Sequence, residues 1–522
     1  MVGALLACVP SLCRAESLLD AIQMAYESNP ALRAQRADLR AVNEGYVQAR
    51  SHYGPQINLS GGVQYQNADV QFPASLFSPA ATKPYQATTA TADLSLVQPI
   101  YTAGRLKAGV DEASDNILTG RETLRAVEAR LILNVIIAYM DVLRDRKTVR
   151  VIQLEIADLT TVSAEATQRG RLGQISRTDV AQAESRLLAA KAQLVQAQGR
   201  LGVSSSEYLA SVGQNPGELE AEPELAGVPN TVDEAFDAAD KNNAELMAAI
   251  QKERAARERI NQAKAANGPT VSIKVDAAIT PYAPYIPNQY DRSFAVQAVI
   301  TQPLYTSGFN SSKIREAVEN ASSAQLTIES TRRGVVQLVS QAWDQFTSSH
   351  NALLVTTQQV KTEEIALEGN RMEERAGLRT TIDLLNAEAE LANTRLSAIQ
   401  SHHDEYVARA ALLSAMGMLE IKYLASAAQR DDPVAPLRRV ENRTAPKWED
   451  AIGRVLDQVA APSTPPSPAE TPPGRPRPVD HPIAAAGGQD IAPLAVSARD
   501  APVATHQEAL GRPAPTPSSQ TP

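Results

Sequence analysis

The chain repeats itself, and the repeat constrains the fold more than any other feature. Gln98-Pro99-Ile100-Tyr101-Thr102-Ala103-Gly104 returns as Gln302-Pro303-Leu304-Tyr305-Thr306-Ser307-Gly308, an offset of 204 residues. The same offset carries Arg171, Gly173, Asp179, Ala183 and Glu184 onto Arg375, Gly377, Asp383, Ala387 and Glu388, and Gly213 onto Gly417. Upstream, the stretch from Ala21 to Leu32 resembles that from Ala235 to Leu246 at a slightly larger offset, so insertions fall between the repeated blocks. Two copies of one supersecondary unit are therefore expected, at 16–215 and 216–425.

Within each half the hydrophobic period changes twice. Residues 17–52 show helical spacing, with Ser17 as the N-cap. After Gly54-Pro55 the period becomes two: Ile57, Leu59, Gly61, Val63 and Tyr65 alternate with polar or small residues, then Ala92, Leu94 and Leu96 do so beyond a loop rich in Pro, Ala and Ser. The second half repeats the device with Val271, Ile273, Val275, Ala277 and Ile279, then Phe294, Val296, Ala298 and Ile300. Four strands result, each with one apolar face and each expected to run about ten residues, enough to cross a bilayer when tilted.

From Gly104 to about Arg169, and from Gly308 to about Glu374, no proline interrupts a helical pattern. Each such helix would be on the order of 100 Å long. Each ends near a glycine turn, and a return helix follows the first with Leu187, Leu194, Leu201 and Tyr208 at the seven-residue spacing of a coiled-coil seam. Helices of that length outrun any four-stranded sheet, so the apolar strand faces need another cover. Lipid is the candidate. Four strands cannot close a barrel, because closed barrels have at least about eight, so closure requires further subunits.

Composition narrows the class. The formal net charge is -9 with signs mixed along the chain, which leaves no basic footprint for nucleic acid. No run of 18 apolar residues provides a transmembrane helix. The two cysteines, Cys8 and Cys13, lie in an apolar start that reads as an export signal over residues 1–15, with cleavage after Ala15. Leu5-Leu6-Ala7-Cys8 also has the form of a lipoprotein cleavage box, against which its closeness to Met1 argues. Eighteen of the 33 prolines follow residue 432, so 426–522 reads as a largely disordered tail with a short helix at 448–459.

The mature start Glu16-Ser17-Leu18-Leu19, the Asn29-Pro30-Ala31-Leu32 step, the two Gln-Pro-Ile/Leu-Tyr links and the stretch from Gly377 to Ala387 together resemble the TolC family of outer-membrane exit ducts. The resemblance implies an α+β membrane protein. Its homotrimer would form a twelve-stranded barrel in outer-membrane lipid, four strands per subunit, continued by a long α-helical periplasmic barrel. It implies two partners, a periplasmic adaptor and an inner-membrane ABC or proton-driven transporter, with solutes or proteins as cargo and neither cofactor nor catalytic group. The rival reading is a coiled-coil adaptor or scaffold whose strands form a soluble sheet.

By the same resemblance the periplasmic entrance is narrowed by acidic residues at Asp383 and at Asn386, where this chain lacks the second acid, while Arg379 and Asp179 match a tether that holds the inner coil shut. Glu374 occupies a position where the family has tyrosine, and is expected to repel Asp179. Three Asp383 side chains around one axis would raise a carboxyl pKa and attract cations. A plainer reading makes Asp179 and Asp383 first-turn acids favoured by the helix dipole. Pro99, Gly104, Pro303 and Gly308 mark the strand-to-helix links, the prolines breaking strand pairing there. His402 and His403, adjacent on a helix, point about 100° apart and read as solvated rather than chelating. Tyr65, Tyr101, Tyr282, Tyr285, Tyr290 and Tyr305 are candidates for an interfacial girdle or plain strand tyrosines.

Overall fold

A computed structural model describes residues 15–282 and 289–420. All but the last residue of the export signal, the tail, its helix at 448–459 and Tyr285 lie outside the described residues.

The segment read as one helix over 17–52 is two, α1 (Leu18–Ser28) and α2 (Pro30–Ser51). Ser17 and Asp20 form a reciprocal capping box that starts α1. The break falls at Asn29, which is extended (φ -61°, ψ 122°), as a residue before proline prefers, and whose side chain accepts from Ala31 N and Leu32 N. The second half breaks α5 (Val232–Asn242) from α6 (Ala244–Ala265) at Asn243 with the same geometry and no proline. The asparagine cap is thus the shared determinant. Asn243 also donates to Ala415 O at 3.0 Å, fixing the break inside the core.

After α2 come β1 (Gln56–Phe72), β2 (Ala81–Tyr101), α3 (Arg105–Arg171) and α4 (Arg177–Val212). After α6 come β3 (Thr270–Pro281), β4 (Tyr290–Thr301), α7 (Phe309–Arg375) and α8 (Thr381–Ala415). Both α3 and α7 are 67 residues long. Their hand-over to the return helices uses left-handed backbone at Gly173 (φ 74°) and Gly377 (φ 76°), a conformation that glycine alone adopts without steric cost.

The four strands make one antiparallel sheet in the order β1-β2-β3-β4. Its register sets rows of like character across all four: Ile57, Leu96, Val275 and Val296 stand in one row, Leu59, Leu94, Ala277 and Phe294 in the next. The intervening row on the other face is Asn58, Ser95, Asp276 and Ala295, and Ser60, Asp93, Ala278 and Ser293 follow beyond Leu59 on that same face. The apolar face is uncovered in the single chain, with Leu59 78 % and Phe294 72 % exposed. β3 and β4 have 12 residues each, close to expectation, but β1 and β2 have 17 and 21. They run into the stretch read as loop because every residue from Gln56 to Phe72 finds a ladder partner across the hairpin, Pro84 included opposite Asp69.

The main core lies midway along the long helices. Leu131 to Leu143 of α3 pack with α1, α5 and the end of α8, where Leu412, Met416 and Leu419 are fully buried. Gly417 is left-handed there (φ 71°), and a Cβ would meet Asn242 O at 2.3 Å, so no larger residue fits. Toward the tips the packing thins to small seams. Leu159, Ala166, Ala183 and Ala190 join α3 to α4, with Leu385 reaching in from α8, while Leu367, Leu384 and Leu391 join α7 to α8.

Candidate functional site at the links and helical tips

Each strand-to-helix link turns on a residue pair in left-handed backbone, Ala103 and Gly104 in the first half, Ser307 and Gly308 in the second. For Ala103 (φ 53°) and Ser307 (φ 48°) this conformation costs on the order of 1 kcal/mol, so the surroundings must hold it. Gly268 helps at the first link, since a Cβ there would lie 2.2 Å from Ala103 Cβ. The glutamine of each Gln-Pro motif is the other support. Gln98 Nε2 donates to Tyr53 O at 2.8 Å and Gln302 Nε2 to Asn267 O at 2.9 Å, tying the chain entering the sheet to the chain leaving it. Neither glutamine was singled out from the sequence as a functional residue, although both stand inside the repeated motif.

The prolines behave differently at the two links. Pro303 follows the end of β4, as expected, but Pro99 still pairs with Ser272 inside β2, and the register slips only between Pro99 and Tyr101. Pro99 therefore sits at a bulge, a position where a missing N–H is tolerated, rather than at the strand end. Leu304 and Tyr305 are 92 % and 87 % exposed because β4 has no further neighbour, whereas Ile100 and Tyr101 lie half-buried beside β3. Tyr65, Tyr282 and Tyr290 also stand exposed on or beside the strands.

At the tips Asp179 and Asp383 occupy the same place in the two return helices. Each closes a capping box: Ser176 N donates to Asp179 at 3.1 Å, and Thr380 donates to Asp383 through N at 3.1 Å and Oγ1 at 2.7 Å. Hydrogen bonds from the Thr380 side chain and backbone hold the Asp383 carboxyl below its ordinary pKa. Within one subunit this is opposite in direction to the rise expected from three carboxylates meeting on an axis.

Glu374 does not confront Asp179. Arg169 Nη1 donates to Glu374 Oε1 at 2.7 Å and takes up its charge, an ion pair that crosses from α3 to α7. Arg379 turns to Glu373 at 2.6 Å rather than to Asp179, yet Arg379 and Asp179 line one cleft of about 520 Å³ together with Arg169, Ser176 and Thr380. Asn386 Oδ1 accepts from Arg186 of α4 at 3.1 Å. Further along, Arg371 of α7 lies 3.8 Å from Asp158 of α3 and 3.2 Å from Glu388 of α8. Burial pushes the Glu388 carboxyl up despite that arginine, and burial together with Glu388 raises Glu155. Besides Leu385, the links named here between the α3–α4 and α7–α8 hairpins near the tips are thus polar.

The histidines depart from expectation. His403 is buried, 3.0 Å from Asp141 of α3, and His402 lies 3.0 Å from Glu222. Their divergent directions, which forbid joint chelation, let each serve a different segment. Among the described residues no group of three His, Cys, Asp or Glu is placed to hold a metal, and no helix is long and apolar enough to cross a membrane.

The family model for outer membrane efflux proteins matches residues 21–213 and 235–418. The chain belongs to the outer membrane efflux protein family. It is 27 % identical over 404 residues to the outer membrane efflux protein BepC of Brucella suis biovar 1 (strain 1330), covering 77 % of this chain and 86 % of that protein. It is 26 % identical over 487 residues to the outer membrane protein TolC of Escherichia coli (strain K12), covering 89 % and 97 %. The fold matches the outer membrane protein VceC of Vibrio cholerae with a TM-score of 0.64 at 18 % identity, over 77 % of this chain and 96 % of that one. Membership makes this outer membrane efflux protein an exit duct for efflux or secretion located in the outer membrane, and sets aside the soluble scaffold. The uncovered apolar sheet face agrees with that location.

Proposed function

We propose that three copies of the chain close a twelve-stranded barrel and continue it as a helical tunnel, each copy contributing two structural repeats, 16–215 and 216–425. The observation that carries this is the sheet: β1 and β4 each have a neighbour on one side only, and the apolar rows are exposed on β1 and β4 and half-buried or exposed on β2 and β3. Unpaired strand edges in lipid cost several kcal/mol per orphaned group, so ring closure between copies is the physical remedy. The polar rows, including Asp93 and Asp276, then face a water-filled lumen. The tunnel works with a periplasmic adaptor and an inner-membrane ABC or proton-driven transporter, and passes solutes or proteins without catalytic chemistry.

The entrance gate lies at the tips. Arg169–Glu374, Arg371–Asp158 and Arg186–Asn386 hold one hairpin to the other, and Asp383 supplies a single carboxylate ring. Each hairpin keeps its own apolar seam, so the hairpins separate as units when the polar links yield and Leu385 of α8 withdraws from the α3–α4 seam. Crosslinking in intact cells followed by detergent extraction tests the assembly: the expected product is a trimer in the outer-membrane fraction carrying adaptor and transporter. A detergent-free soluble monomer would sink the proposal.

A further inference from the structure

Between the halves, the connector 213–231 runs as a strap held by one polar contact after another. Arg146 donates to Pro216 O at 3.1 Å, Glu16 N to Glu218 O at 2.6 Å, Tyr139 to Glu220 O at 2.8 Å and Tyr406 to Pro223 O at 2.9 Å. Three of the four described histidines gather at the same level. His402 Nε2 of α8 lies 3.0 Å from Glu222 Oε1 of the strap, which Lys147 of α3 approaches at 4.0 Å. His403 lies with Nε2 3.0 Å from Asp141 Oδ1 of α3 and Nδ1 2.9 Å from Asp404 Oδ1. At that distance the Asp141 contact is an ion pair whenever the imidazole is charged, and charge attraction tolerates imperfect alignment. His350 Nδ1 of α7 lies 3.5 Å from Glu405 Oε1, which Arg409 also engages.

The balance of fixed charge at this level is negative. Asp141, Asp145, Glu222, Asp404 and Glu405 face Arg144, Lys147 and Arg409, with Arg144 spent on Asp141 and Asp145 at 2.7 and 2.8 Å. Tyr139 and Tyr406 add no further charge, since burial and then nearby carboxylates push their pKa upward. The His403 imidazole, set between Asp141 and Asp404, is the group able to supply positive charge there.

We propose that His403 forms a proton-operated clasp that fastens α8 onto α3 beneath the strap, whose carbonyls Tyr139 of α3 and Tyr406 of α8 both hold, tight when its imidazole carries a proton and slack when it does not. Burial opposes the His403 charge, but its contacts with Asp141 and Asp404 outweigh burial and hold its pKa above the ordinary 6.5. A raised folded value means the stabilisation is complete below the unfolded pKa and is lost as pH climbs through the folded one. Burial raises Asp141 and Glu222, yet their histidine partners and the cations beside them bring both below their ordinary values, so these carboxylates stay charged throughout that window. The clasp concerns the single chain and stands apart from the exit-duct proposal.

Hydrogen exchange of strap amides 216–224 in the full chain, purified in detergent and corrected for intrinsic rates, tests it. One linked proton makes the opening constant rise by up to about tenfold per pH unit between His403's unfolded and folded values. His403→Gln should flatten that slope, and His52→Gln, at the end of α2, should leave it intact. Should a histidine variant not assemble, Asp141→Asn removes the partner instead and should flatten the slope equally. A strap whose opening does not depend on pH in the native chain, or a slope that survives His403→Gln or Asp141→Asn, overturns the proposal.

Discussion

The same helices are held by opposite means at two levels. Midway along, α3 and the end of α8 share an apolar core in which Ile136, Tyr139 and Leu412 are fully buried. At the tips, small seams of alanine and leucine in α3–α4 and of leucine in α7–α8 hold each hairpin internally, and the links between hairpins are mostly polar: Arg169–Glu374, Arg371–Asp158 and Arg186–Asn386. Apolar burial is non-directional and insensitive to salt, whereas exposed ion pairs are worth at most about 1 kcal/mol and are screened. One level is built to stay and the other to part.

That contrast predicts a ranking of effects. Ile136→Ala should cost about 2–5 kcal/mol, seen as a lowered denaturation midpoint, with conductance unaltered while the chain remains folded. A stability loss as small as that of a tip variant would abolish the distinction between levels. Arg169→Glu should change stability by only about 1 kcal/mol or less but raise open-channel conductance, and adding Glu374→Arg should restore closure. Conductance of the wild type should also rise with salt concentration as the links are screened. If the charge-swapped pair gates no better than the single variant, the ion pair is not the latch.

Smaller effects sharpen the tip itself. We expect cation-selective conductance from the single Asp383 ring, with polyvalent-cation block strengthened by Asn386→Asp; unchanged block in single-channel recording would remove these positions from the lumen. Thr380→Val deletes the hydroxyl that caps Asp383. Because that bond depresses the Asp383 pKa, its stabilisation exists above the ordinary carboxylate value and fades as pH falls through the depressed one. The variant should therefore lose a slight acid-dependence of helix content that circular dichroism detects in the parent.

Much of the fold was legible because it rests on short-range rules. The switch of period from 3.6 to 2 placed all four strands, and glycines 204 residues apart marked the left-handed positions at 104 and 308, 173 and 377, and 213 and 417. The lengths of β1 and β2 were not legible, since a stretch rich in Pro, Ala and Ser lacks strand propensity and is carried by cross-hairpin pairing. At the tips Asp179 and Asp383 were readable as first-turn acids, and both prove to be capping residues. Glu374 was misread as a repelling charge, because its partner Arg169 lies 205 residues away. His403 was misread as solvated for a similar reason: nothing in its helix announces Asp141 of α3.

By itself, then, the sequence determined the element order, the apolar strand faces and the positions of the turns. Periodicity, capping and backbone permissiveness act over a few neighbours and can be read along the chain. Only the tertiary structure decided which polar groups meet: Arg169 with Glu374, Asn386 with Arg186, and His402 and His403 with the strap and α3. Those pairings depend on how two 67-residue helices lie against each other, and a side-chain displacement of a few ångströms there makes or breaks an ion pair.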